Sequence, residues 1–167
     1  MDHVYFETKV ATDAAGAISG LAWKFGAPDR VGDWIEPGAF RGAKLPTPML
    51  FAHDMRDPVG IWDRIEERAD GLHVSGRLLV DDVARAREVR AFVQSGAVRG
   101  LSIGFIAKNA AARTGGGRTI RSLELLEVSL VTLPMHPGAR VTGAKSVAAA
   151  LTLADAIRRT SAAIRGK

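Results

Sequence analysis

The chain has no cysteine in its 167 residues. That removes disulfide bridges, thiolate nucleophiles and cysteine-ligated zinc, and it suits a reducing compartment. Histidine is scarce as well: His3, His53, His73 and His136 are the four, and no two stand at helical ligand spacing. Neither a metal nor a cofactor is therefore expected. Phe and Tyr are few, and Trp23, Trp34 and Trp62 lack the spacing of a base-stacking platform. This weighs against a nucleic-acid partner in spite of a formal net charge of +5. No apolar run approaches the roughly 20 residues that cross a bilayer, and Met1-Asp2-His3-Val4 begins no basic-then-apolar leader. The expectation is a cytoplasmic protein with no membrane partner.

What is present is enough apolar material, 47% of the residues, for one domain with a real core. The pattern is mainly short strands separated by turn signals, which favours a barrel or sandwich over a doubly wound sheet. Val4 to Val10, Ile18 to Phe25 and Met49 to His53 read as strands, and Val31 to Phe40 as a loop entering a short helix or turn. Gly60 to Glu66 and Leu72 to Leu79 flank an Asp70-Gly71 hairpin signal. One helix is expected over Val83 to Gln94, capped by Asp81 or Asp82, with Val83, Ala86, Val89 and Val93 on its apolar stripe and Ser95-Gly96 as its stop. Arginine is dense around this helix and again at Arg158-Arg159, which reads as a solvated face. Leu101, Ile103 and Phe105 alternate with Ser102 and Gly104. Ala110 to Gly117 reads as a mobile loop before a long strand from Thr119 to Leu133, and Pro134 with Pro137 closes the regular structure. Ser146 to Ile164 has a helical pattern, so residues 1–145 are taken as the domain and 146–167 as a helical tail.

Three polar groups sit in apolar surroundings. Ser102 lies inside Gly100-Leu101-Ser102-Ile103-Gly104-Phe105, His53 ends Met49-Leu50-Phe51-Ala52, and Glu127 interrupts Leu125-Leu126-Glu127-Val128-Ser129-Leu130-Val131. A carboxylate in an apolar strand must either lie at a wet edge or have a partner. An inward Glu127 would find that partner in a histidine; Glu124, on the opposite face, is the weaker candidate. A hydroxyl, an imidazole and a carboxylate are what a serine hydrolase needs, because serine is a weak nucleophile until an oriented base takes its proton. Alone, His53 reads as a satisfied loop or core histidine, with Asp54 capping the next turn; the three together favour catalysis. Gly100 to Gly104 also matches G-x-S-x-G. That motif requires a strand before the serine and a helix after it, and here the helix precedes, so the match is read as coincidence. The hydrolase order Ser102, Glu127, His136 is formally available, but the chain lacks alternating strand and helix units.

Four blocks between Asp29 and Arg140 then resemble the tailed-phage prohead maturation proteases of the HK97 type. They are Val31 to Phe40; Leu50-Phe51-Ala52-His53-Asp54 with Pro58-Val59-Gly60; Gly100 to Phe105; and Leu126 to Pro134. The resemblance implies a mainly β protein with helices (α+β), an antiparallel β-barrel similar to the herpesvirus assemblin protease. It also implies His53 as base, Ser102 as nucleophile and Glu127 as third member. The implied work is serine endopeptidase cleavage of scaffold and major capsid protein extensions, and of the protein itself, inside the immature capsid in the host cytoplasm. A homo-oligomer is expected too. The chain departs from the family's usual Pro-Ala-Asn at Pro134-Met135-His136. Two other readings stand beside this one: a non-catalytic scaffold or capsid-binding module, and a basic nucleic-acid-binding barrel.

Overall fold

A computed structural model of the chain describes residues 15–143. The expected strand Val4 to Val10, the helix Ser146 to Ile164 and the boundary at residue 145 lie outside them.

Among the described residues eight strands and one helix follow in order: β1 Ala17–Lys24, β2 Trp34–Ile35, β3 Thr47–Phe51, β4 Pro58–Arg68, β5 Gly71–Leu78, α1 Ala84–Gln94, β6 Gly100–Ala112, β7 Arg118–Val131 and β8 Arg140–Gly143. Hydrogen bonding runs β7-β3-β4-β5-β1-β8-β6, and β6 pairs back to β7. The sheet therefore closes as a seven-stranded barrel, which leaves few raw edges. Most pairs are antiparallel, but β3 runs parallel to β7, Met49 opposite Val128 through Phe51 opposite Leu130. The two-residue β2 adds to the far end of β7, also parallel. Within Val31 to Phe40, turns follow β2 and no helix forms.

The barrel is filled by the side chains the apolar pattern sends inward. Met49, Val59, Trp62, Leu72, Leu101, Ile120, Val128 and Leu130 have no exposed surface. The Trp62 indole N–H donates to the Val128 carbonyl over 2.9 Å, so this fully buried ring also ties β4 to β7. Ala86, Val89 and Val93 of α1 are fully buried, and each buried valine contributes on the order of 1.5–3 kcal/mol. From its outer side α1 reaches the end of β3. Phe92 packs on Phe51 with ring centroids 6.3 Å apart. The Arg85 guanidinium lies 4.8 Å over the same ring and bonds Asp57 at 3.1 Å.

Several expectations need correction. The cap of α1 is Val83, in extended geometry with no side-chain bond, and neither Asp81 nor Asp82 caps it. Val83 is drawn toward the core, and that packing sets the helix start. Its end is as read, with Gly96 at φ +77° after Ser95. β6 and β7 stay paired as far as Ala112 opposite Arg118, so the loop shrinks to Arg113 to Gly117. Alanine has no pattern of its own, and the ladder recruits it. Pro134 and Pro137 do not end the regular structure, because β8 follows and closes the barrel between β1 and β6. β3 stops at Phe51, two residues before His53.

Candidate active site

His53 lies in the tight turn between β3 and β4. Ala52 and His53 both have left-handed backbone, φ 53° and 62°, a conformation that costs a non-glycine residue about 1–2 kcal/mol. The turn is over-determined by its bonds. Ala52 N–H extends the β3–β7 ladder to the Leu130 carbonyl at 3.0 Å, and Asp54 N–H donates to Phe51 at 3.0 Å. Asp54 Oδ1 accepts from Arg56 N–H at 2.9 Å. His53 N–H donates to Ser129 Oγ at 3.1 Å. Backbone strain concentrated this way is a frequent mark of functional positions.

Glu127 answers the question its sequence position raised: it is buried, 4% exposed, on the face of β7 opposite the barrel-filling Val128 and Leu130. Its carboxylate is paired on both oxygens. Oε1 accepts from His53 Nδ1 at 2.7 Å, and Oε2 accepts from the Ser129 hydroxyl at 2.6 Å. Glu124 instead forms an exposed ion pair with Lys108 at 2.7 Å. Because a carboxylate only accepts, Nδ1 of His53 carries the proton, and in the neutral ring Nε2 is left with its lone pair. The hydrogen bond that the ring donates to Glu127 raises the His53 pKa above its usual 6.5; partial burial opposes it, and the carboxylate's charge adds to it.

Ser102 is 6% exposed and sits directly opposite Ser129 across the β6–β7 ladder, with Gly104 opposite Glu127. Opposed residues of an antiparallel pair share a face, with Cβ atoms about 4.5–5.5 Å apart. The ladder thus gathers Ser102, Ser129 and Glu127 on one face, and His53 reaches the last two. Among the described residues Ser102 makes no hydrogen bond to His53. The two glycines around the serine have separate packing reasons. A Cβ at Gly104 would run into the Glu127 carboxylate, and one at Gly100 would lie 2.7 Å from Pro134 Cδ. These close approaches explain G-x-S-x-G here without a nucleophile elbow. The ladder slips just after Gly104 where Leu126 of β7 is skipped, and Leu101, Ile103 and Phe105 all still lie with the core.

Ser129 is the residue that sequence reasoning missed. Fully buried, it links the His53 backbone to the Glu127 side chain, yet in a strand it reads as one more small residue. The remaining histidines stand apart from this pair. His73 bonds Asp70 at 2.8 Å at the β4–β5 turn. His136 is held by Ala27 and Gly138, so the order Ser102, Glu127, His136 is not the one the bonding follows. His3 lies outside the described residues. A cavity of about 30 Å³ borders Ser102, with Trp23, Met135 and His136 among its walls. A larger one of about 310 Å³ opens elsewhere, between Phe40, Leu45, Ile65 and Leu72. Among the described residues no cluster of His, Asp and Glu is arranged to hold a metal ion.

The sequence pattern of the caudovirus prohead serine protease family matches residues 5–152. The chain belongs to this family. It is 35% identical over 147 residues to the prohead protease of Enterobacteria phage HK97, covering 84% of this chain and 65% of that protein. It is 36% identical over 149 residues to the capsid polyprotein of Pseudomonas phage PAJU2, covering 84% of this chain and 22% of that one. The chain therefore spans less than two thirds of the length of either relative. The fold is similar to KSHV protease in complex with a hexapeptide phosphonate inhibitor, with TM-score 0.52, 16% identity and coverage of 75% of this chain and 63% of that one. It is also similar to the bacteriophage T4 capsid assembly protease, with TM-score 0.57, 14% identity and coverage of 70% and 81%. At that identity both likenesses concern the barrel, which is the architecture expected from the sequence.

Proposed function

We propose that this chain is a serine endopeptidase of capsid maturation, with Ser102 as nucleophile, His53 as general base and Glu127 as the carboxylate that orients it. The observation that carries the reading is the hydrogen bond from His53 Nδ1 to a buried Glu127 on the face that Ser102 shares. Family membership supports the same class of chemistry.

Ser102 Oγ attacks a peptide carbonyl carbon while its proton passes to Nε2 of His53. The tetrahedral intermediate collapses as that proton moves to the leaving amine nitrogen, and the acyl chain stays on Ser102. Water, deprotonated by the same imidazole, attacks the ester carbonyl, and as the acyl–oxygen bond breaks the imidazolium returns that proton to Ser102 Oγ and the acid is released. Glu127 holds the ring in the Nδ1–H tautomer and stabilises the imidazolium that forms in between. General base catalysis of this kind contributes about 10²- to 10⁴-fold.

The substrates are extensions of the scaffold and major capsid proteins, and the chain itself, inside the immature capsid within the host cell. The likeness to a capsid polyprotein supports a capsid setting. The working form is a homo-oligomer.

The test is co-expression with capsid and scaffold proteins. Wild type is expected to trim them and Ser102→Ala to leave them intact. Cleavage by Ser102→Ala at the wild-type rate removes Ser102 from the mechanism. Binding without cleavage by either form favours a non-catalytic capsid-binding module.

A further inference from the structure

His136 is 3% exposed and takes no part in the His53–Glu127 pair, yet both its ring nitrogens are committed. Gly138 N–H donates to Nδ1 at 3.0 Å. A backbone N–H can only donate, so Nδ1 is the bare nitrogen and the ring proton is on Nε2, which donates to the Ala27 carbonyl at 3.2 Å. The ring is therefore neutral and of one tautomer. A side-chain acceptor reaching the N–H two residues on is the geometry of an Asx turn, made here with an imidazole. Ala139 N–H donating to the His136 carbonyl at 2.9 Å closes the same turn.

That turn bounds the space beside the nucleophile candidate. Met135, His136 and Ser102 all face the cavity of about 30 Å³. Arg30 fastens the near end, donating from Nε to the Pro134 carbonyl and from its backbone N–H to the Met135 carbonyl, each at 3.2 Å. Behind the ring stands Trp23, with centroids 4.5 Å apart and edge-on. Its buried indole Nε1 has no hydrogen-bond partner among the described residues. A donor offers no acceptor to an imidazolium. The charged groups around the ring are Lys24 at the end of β1, whose chain packs on Gly138, and Asp29 on the following loop.

We propose that His136 is a positioning residue: while neutral it holds the 134–139 turn as a wall of the space beside Ser102, and acid releases that wall. Protonation sets a second N–H against Gly138 N–H, so the bond that shapes the turn is lost. Burial keeps the His136 pKa below 6.5, with Lys24 acting in the same direction and the Ala27 bond and Asp29 opposing. A depressed value means that the ring's contribution to stability is present above the unfolded value of about 6.5 and is lost as pH falls through the folded one. The effect on catalysis rests on the reading of Ser102 as nucleophile; the effect on the turn does not.

The experiment compares wild type with His136→Asn, whose amide oxygen can accept the same N–H and does not titrate. Nitrogen NMR of the imidazoles in the Ser102→Ala chain is expected to show one histidine with a bare Nδ1 that protonates below pH 6.5. Urea stability of wild type is expected to fall faster than that of His136→Asn between pH 7 and pH 5. In cleavage assays the acid limb of wild type should steepen by about a further tenfold per pH unit, and the limb of the variant should not. His136→Gln substitutes if Asn prevents folding. A His136 protonated on Nδ1 at neutral pH, or parallel stability curves, overturns the proposal. The expected NMR and stability results without any cleavage would instead remove the protease reading and leave the turn intact.

Discussion

His53 and Ser129 meet Glu127 from opposite sides, the ring N–H at 2.7 Å on one carboxylate oxygen and the hydroxyl at 2.6 Å on the other. A buried carboxylate with both oxygens paired is fixed in rotation, so the imidazole it holds is fixed as well. The arrangement yields outcomes for experiment.

The first concerns pH. Glu127 raises the His53 pKa, and the proposed role of His53 as base requires its neutral form, so under that proposal the acid limb of kcat/KM is expected above pH 6.5. Glu127→Gln should move that limb down and lower kcat by about 10⁴-fold, the scale seen when a triad carboxylate is replaced by its amide. For stability the sign is opposite to that of His136. A raised value contributes below the unfolded 6.5 and is lost as pH rises through the folded value. Pre-steady-state rates over pH 5 to 9 for both forms check this; a limb that stays put in Glu127→Gln refutes it.

Ser129→Ala removes one donor to Glu127 and the acceptor of His53 N–H in a site with no exposure. The expected cost is about 1–3 kcal/mol of stability. Under the proposed mechanism catalysis should suffer in kcat with KM little changed, because the lost bonds orient His53, the proposed base, and do not involve the substrate. Thermal unfolding and steady-state kinetics together decide; unchanged kcat assigns Ser129 a purely structural part.

Gly104→Ala should fail for a steric reason. Its new methyl would occupy the volume of the Glu127 carboxylate, and overpacking of this kind costs about 1–3 kcal/mol. Activity should fall with stability. Gly42→Ala is the control, since nothing lies within 4 Å of a Cβ there and its backbone is ordinary. Equal behaviour of the two variants in urea unfolding and peptide cleavage contradicts the account.

Ala52→Gly tests the strained turn. At φ 53° glycine relieves about 1–2 kcal/mol of strain and gives back about 0.4–1 kcal/mol through the freer unfolded chain. A small net gain in stability is expected by differential scanning calorimetry. A loss would mean that the Ala52 methyl contributes packing that outweighs its backbone conformation.

Much of this could be read before the fold was seen, and the particular residues show why. Glu127 stood out because a charge in an apolar strand needs a reason, and His53 because it ended an apolar segment. The β4–β5 hairpin was visible in Asp70-Gly71, and α1 in its stripe. Ser129 was invisible, since a serine between Val128 and Leu130 has no local oddity and the backbone it holds is 76 residues away. The strand β8 was hidden for the same reason, because four residues gain their identity only by closing the barrel between β1 and β6. The parallel contact of β3 with β7 likewise belongs to closure and has no signature in either segment. The cap of α1 departs from the local preference for aspartate because packing of Val83 against the core outweighs it.

β7 carries two loads at once. Its outer half takes β2 and its inner half takes β3, while β6 runs along the other side for the full length. Side chains alternate, so a slip of one residue would turn Glu127 and Ser129 into the barrel and Val128 and Leu130 out onto the face where His53 and Ser102 stand. Such a slip would also unseat the seam by which the cylinder shuts. Selection for altered chemistry therefore cannot act on this staff of the barrel in isolation: variation that spares its alignment is confined to the neighbouring turns, where new specificities have room to arise.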